Sequence, residues 1–250
     1  MSRKNWSKKE LILAINLYCK TPFGKIHTHN PDIIKLSKII GRSPGAVSYK
    51  LANFASIDPS LDRKGADHTS KLDKKVWEEF FNNWSKLSYE SEKLLAEYKG
   101  EKINKYLNNT SDLPEGINKY HSVKTRVNQS FFRDSVLSSY NYKCCITGID
   151  NKNLLIASHI IPWSKDKKNR TNPRNGLCLN ALHDKAFDCG LITLTNNYTI
   201  KASRTIRKEY KNNSAYQFFK KFDGKVIDLP DRFIPNKNFL EYHRNNIFIK

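Results

Sequence analysis

The stretch from 154 to 190 constrains the fold more than any other part of the chain. It runs LLIASHIIPW, then the polar SKDKKNRTNPR, then NGLCLN, then ALHDKAFDCG. The first and third pieces are short, apolar and rich in strand formers, whereas the fourth is made of helix formers and stops at Gly190. The order is therefore strand, loop, strand, helix, a ββα unit. The polar residues it carries are the first candidates for chemistry.

Three of them fall at defined places. His159 ends the first strand, Asn175 opens the second, and His183 lies near the helix start, with separations of 16 and 8 residues. The pattern H-x15-N-x7-H resembles the HNH (ββα-metal) nuclease family, and one restriction-type branch of it in its surrounding words: CxITG at 144–148, ASHIIPW at 157–163, NGLCL at 175–179 and HDKAFDCGL at 183–191. The likeness continues upstream in RVNQSFFR (126–133) and downstream in LEYHRNNIF (240–248), covering about half the chain.

Hydrolysis of a phosphodiester needs a water stripped of its proton, and a neutral imidazole takes that proton best near neutral pH. His159 is the expected general base, its tautomer set by a hydrogen bond from the other ring nitrogen, commonly to a backbone carbonyl of the facing loop. The resemblance implies that Asn175 braces that loop. It also implies a divalent cation, Mg²⁺ or Mn²⁺, with His183 as primary ligand. Many members carry an Asp just before the base; here the position is Ser158, so either Ser158 and waters complete the shell or Asp184 or Asp188 reaches in.

Charge agrees with a polyanionic partner. Lys and Arg total 44 against 24 Asp and Glu, a formal +20. The loop between the strands holds Lys165, Lys167, Lys168, Arg170 and Arg174; of these Lys167, Arg170 and Arg174 are the expected phosphate contacts, the alternative being a merely solvated loop. Five cysteines, Cys19, Cys144, Cys145, Cys178 and Cys189, suggest no disulfide framework, and without two CxxC-like knuckles structural zinc is not expected. The longest apolar stretch near the start, Leu11 to Cys19, is too short for a membrane span and lacks a leader's cleavage pattern. A cytoplasmic protein with no membrane partner is expected.

Residues 6–56 read as three short helices, with Ser7 capping the first, Asn30-Pro31 starting the second, Gly41 ending it and Ser43-Pro44 starting the third. The turn at Gly41-Arg42-Ser43 resembles a helix-turn-helix, which makes Arg42, Ser43, Ser48 and Lys50 candidate contacts to double-stranded DNA. A plain trihelical scaffold is the alternative, weighed against 12 basic and 4 acidic residues over 1–65. Helical pieces at 72–84 and 90–99, a linker at 107–116 and a helix at 127–140 follow. The expected plan is α+β: a trihelical domain (1–65), a helical connector (66–120) and an HNH domain (121–250). Two function classes fit it: a DNA endonuclease of restriction type, or of homing or phage nicking type, and a DNA-binding regulator with a decayed site. A homodimer would supply the two sites that a double-strand break requires.

Overall fold

The computed structural model describes residues 5–61, 66, 68–101, 117–209 and 214–250. It divides into two compact units, Met1–Ser135 and Val136–Lys250. The architecture is α+β, mostly helical at the amino end with a ββα region in the second unit.

The first unit contains α1 (Lys8–Lys20), α2 (Pro31–Ile40), α3 (Pro44–Ile57), α4 (Lys71–Phe80), α5 (Trp84–Lys99) and the larger part of α6 (Ile117–Ser139). Local chemistry sets the ends of the first three. Ser7 and Glu10 form a reciprocal capping box. Asn30 caps α2, and Gly41 ends it in the left-handed conformation at φ 65°. Ser43 accepts from the Ala46 N–H ahead of α3, whose first residue is Pro44.

Packing decides the rest. Leu11, Ile15 and Tyr18 of α1 are buried, as are Val47, Leu51 and Phe54 of α3, each contributing about 1.5–3 kcal/mol through lost apolar exposure. The segment read as a connector is packed too: α4 and α5 both touch α1, and Trp77 lies 5.7 Å from both the Tyr18 and Phe54 rings. The sequence places Trp84 at the end of one helix, but it begins α5 instead, because its ring is held between Phe81 (5.2 Å) and Phe131 (6.2 Å). The expected linker at 107–116 lies outside the described residues.

In the second unit β1 (Leu155–His159) and β2 (Gly176–Asn180) pair antiparallel, Leu155 opposite Asn180 and His159 opposite Gly176. Helix α7 (Ala181–Asp188) follows without a loop, and Asn180 caps it by accepting from the Leu182 and His183 N–H groups. A second hairpin joins β3 (Ile192–Leu194) to β4 (Ile200–Ala202) across a turn that contains Asn196-Asn197. Helices α8 (Arg204–Glu209), α9 (Ser214–Lys220) and α10 (Lys237–Asn246) complete it.

Gly190 does more than end α7. At φ 71° it is left-handed, and a Cβ there would sit 2.1 Å from the Ile247 carbonyl oxygen. Its own carbonyl accepts from the Ile249 N–H at 2.9 Å, so the missing side chain lets the carboxy-terminal segment lie against the end of α7. On α10, buried His243 stacks on Phe187 at 3.7 Å, donates to the Phe187 carbonyl (3.0 Å) and meets Thr193 Oγ1 at 2.8 Å. Among the described residues no helix is long and apolar enough to cross a membrane.

Candidate active site

Antiparallel pairing brings the end of β1 beside the start of β2, so His159 and Asn175, 16 residues apart in sequence, become neighbours across the ladder. The His159 Nε2 lies 2.9 Å from the Arg170 carbonyl oxygen. A carbonyl only accepts, so Nε2 carries the hydrogen and the lone pair of the neutral ring is on Nδ1. Burial holds the His159 pKa below its ordinary 6.5, against an opposing pull from that carbonyl. The ring is therefore neutral, and basic, at physiological pH. Trp163 is half-buried and stands edge-on to His159 at 5.6 Å.

Asn175 is fully buried and ties the loop together. Its Oδ1 accepts from the Ile161 N–H at 2.8 Å, and its Nδ2 donates to the Ile161 carbonyl at 3.1 Å and the Asn169 carbonyl at 3.4 Å. Asn169 immediately precedes Arg170, whose carbonyl holds the His159 ring. One amide thus makes three hydrogen bonds to residues 161 and 169.

His183 is placed less favourably for a metal. The Asn180 amide is oriented by its Oδ1, which is occupied by two helix N–H groups, so its Nδ2 faces the His183 Nδ1 at 3.0 Å. The same Nδ2 also donates to Thr147 Oγ1 at 3.1 Å, and the His183 tautomer sets whether Nδ1 or Nε2 carries the proton. That Nε2 is buried without a hydrogen-bond partner, and the ring is enclosed by Phe218, Phe219 and Phe222, with centroids at 4.9, 5.6 and 5.4 Å. Burial pushes its pKa down to about 4.

The position facing Ser158 belongs to the next residue. Burial raises the Asp184 carboxyl pKa, while the Ser158 hydroxyl and then Lys185 draw it down. Ser158 is buried, and its Oγ makes no hydrogen bond of ordinary geometry. Asp188, one turn along α7, is raised by burial and by Asp184. Tested for a divalent cation, the His183 ring is enclosed by three phenyl rings, whereas the Asp184 carboxylate beside the Ser158 hydroxyl suits a hard ion. The sequence signal for this geometry was Asn180, an Asn directly before helix formers.

Of the expected phosphate contacts, Lys167 and Arg174 are exposed, though Arg174 Nε reaches the Ile234 carbonyl at 3.3 Å. Arg170 folds back onto its own loop, its Nε 2.6 Å from the Trp163 carbonyl and its guanidinium over the Trp163 ring. In the first unit Ser43 is exposed and Ser48 half-buried. Arg42 and Lys50 are placed otherwise than expected. Arg42 makes a two-pronged pair with Glu10 at 2.9 and 3.0 Å and covers Trp6 at 4.2 Å; Lys50 is buried against Asp73 at 2.8 Å. Both cations already have carboxylate partners inside the unit, so their first role is structural. Arg42→Ala would leave Glu10, 3% exposed, without its counter-charge and lower the unfolding free energy in urea by about 3–5 kcal/mol. A variant as stable as the wild type would return Arg42 to the DNA-contact candidates.

Residues 144–195 match the family model described as HNH endonuclease, and they contain β1, the base loop, β2, α7 and β3. Among curated proteins none matches the chain. An HNH endonuclease domain implies phosphodiester hydrolase activity on DNA, and the family generally uses a divalent metal.

Proposed function

With an HNH endonuclease domain at residues 144–195 as the premise, we propose that the protein is a restriction-type DNA endonuclease in which the helical unit engages duplex DNA and the ββα unit cuts it. The observation that carries the reading is His159, whose Nε2 is held by the Arg170 carbonyl on a loop braced by Asn175. Its Nδ1 takes a proton from water as the water oxygen bonds to phosphorus. The bond from phosphorus to the 3′-oxygen breaks, and that oxygen leaves with a proton drawn from solvent. Asn175 is a positioning residue throughout. Exposed Lys167 and Arg174 hold flanking phosphates, and Arg170 serves the loop first.

A Mg²⁺ or Mn²⁺ ion, when bound, neutralises charge gathering on the phosphate and leaving oxygens. We assign it to Asp184 and Ser158 rather than to His183. What supports this is the proximity of those two groups and the enclosure of the His183 ring by three phenyl rings. One ββα site cuts one strand, so a double-strand break requires a homodimer on a two-fold site.

Supercoiled plasmids, methylated and unmethylated, test the reading with Mg²⁺, Mn²⁺ or chelator. Nicked or linear product that disappears with chelator is expected. Asp184→Asn should weaken Mn²⁺ binding, read by electron paramagnetic resonance, at least tenfold, and His183→Gln far less. Every plasmid remaining intact with each metal would instead favour a DNA-binding regulator, the reading to which the uncharged Ser158 lends support.

A further inference from the structure

In the second unit the sequence turns strongly cationic from β4 onward. Positions 201–225 hold eight Lys and Arg against two Asp and Glu. Helix α9 ends at Lys220, and the turn after it carries Lys221, Phe222 and Lys225. Both of these lysines are exposed, while the Phe222 ring is half-buried. Lys221 Nζ lies 5.6 Å from the Phe222 ring centre and Lys225 Nζ 6.0 Å from it. Two ammoniums therefore converge on one ring.

Nothing described in the protein neutralises the pair. Among the described residues neither Lys221 nor Lys225 forms an ion pair with a carboxylate. Asp223 stands between them in sequence, but its Oδ1 accepts from the Ala202 N–H at 2.9 Å. Cations of the first unit are treated differently: Lys8, Lys9, Lys20, Arg42, Lys50 and Lys86 each have an Asp or Glu partner. Two like charges at one ring repel each other until an anion joins them. Helix polarity explains only the first of them, because a helix carboxyl end favours a cation, whereas Lys225 lies beyond the helix. Its backbone is fixed to β4: the Gly224 N–H donates to the Ile200 carbonyl at 2.9 Å, and the Ile200 N–H to the Lys225 carbonyl at 2.8 Å.

Phe222 also fixes where the pair sits. Its ring stands edge-on to that of His183, with centres 5.4 Å apart, so both ammoniums lie near α7, the helix that carries Asp184 and Asp188. A polyanion drawn to that helix meets two carboxylates, and cations beside them offset the repulsion.

We propose that Lys221 and Lys225, gathered at Phe222, form a surface that grips the backbone of duplex DNA beside the ββα site, each ammonium taking one of two neighbouring phosphates. Such contacts position the duplex without reading its sequence. The proposal takes from the reading of the HNH domain only that the partner is DNA; it does not depend on cutting.

The test uses the full chain carrying His159→Ala, titrated with fluorescent duplexes of unrelated sequence over a range of salt. Lys221→Ala or Lys225→Ala should each make the plot of log affinity against log salt shallower by about one, and the double variant by about two. Between about 50 and 200 mM salt the double variant should then lose about tenfold less affinity than the parent, whichever duplex is used. Lys221→Arg with Lys225→Arg should keep the parent slope. Both side chains are exposed, so urea unfolding of every variant should match the parent. Acetylation of the parent, followed by mass spectrometry, gives a second readout: duplex should slow modification of Lys221 and Lys225, and polyglutamate should slow it less. A parent-like slope in the double alanine variant, or acetylation at an unchanged rate, would overturn the proposal. Protection by polyglutamate but not by duplex would overturn it in favour of an acidic protein. The nuclease reading is judged separately, on plasmid cleavage by the wild type.

Discussion

His159→Ala is expected to lower the single-turnover cleavage rate by about 10²- to 10⁴-fold, the range that a positioned general base contributes, while the chain still folds. The ring is half-buried at the rim of the ββα unit, outside the apolar core formed by Leu155, Leu177 and Phe187. His159→Gln, which can still donate to the Arg170 carbonyl, should be equally slow, because the missing element is the Nδ1 lone pair and not the hydrogen bond. The wild-type pH profile provides an independent check. Only the neutral ring accepts a proton, and burial holds the folded pKa under 6.5. The acid limb should therefore lie below pH 6.5, activity falling as pH drops through the His159 pKa. Cleavage by His159→Ala at the wild-type rate would remove the base from its assigned place, and an acid limb above pH 6.5 would contradict the environment described for it.

Asn175→Ala should damage both stability and catalysis. The substitution strips partners from the Ile161 N–H, the Ile161 carbonyl and the Asn169 carbonyl. At about 1–3 kcal/mol for each buried group left unsatisfied, a loss of about 3–5 kcal/mol in urea unfolding is expected. Rates measured where the variant is still folded should fall too, because the Arg170 carbonyl next to Asn169 loses its anchor. Asn175→Asp separates the two roles: it keeps an acceptor for the Ile161 N–H, loses the donor and adds a buried charge. Hydrogen exchange should show the 161–170 amides opening in both variants. Unaltered exchange together with unaltered cleavage would deprive Asn175 of the bracing role.

Which residues become neighbours at the candidate site was readable from order. A strand, a polar loop, a strand and a helix in immediate succession admit few arrangements, and in an antiparallel pair the end of one strand meets the start of the next, which here sets His159 opposite Gly176 and so beside Asn175. Caps were equally local: Ser7, Asn30, Gly41 and Ser43 act through neighbours within a few positions.

What sequence could not decide was which way a side chain faces once distant elements close around it. His183 and Asp184 are adjacent, and a helix turns by about 100° between them, so one enters the phenyl cage of Phe218, Phe219 and Phe222 while the other faces Ser158. The cage comes from residues more than thirty positions away. Arg42 and Lys50 read as surface cations for a similar reason: Glu10 and Asp73, 32 and 23 residues distant, are brought to them only by packing of the helices. Type, spacing and local caps are properties of the chain itself, whereas burial and ion pairing belong to the assembled core. Tertiary structure therefore decided which polar groups at the ββα site and on α3 remain available for a ligand.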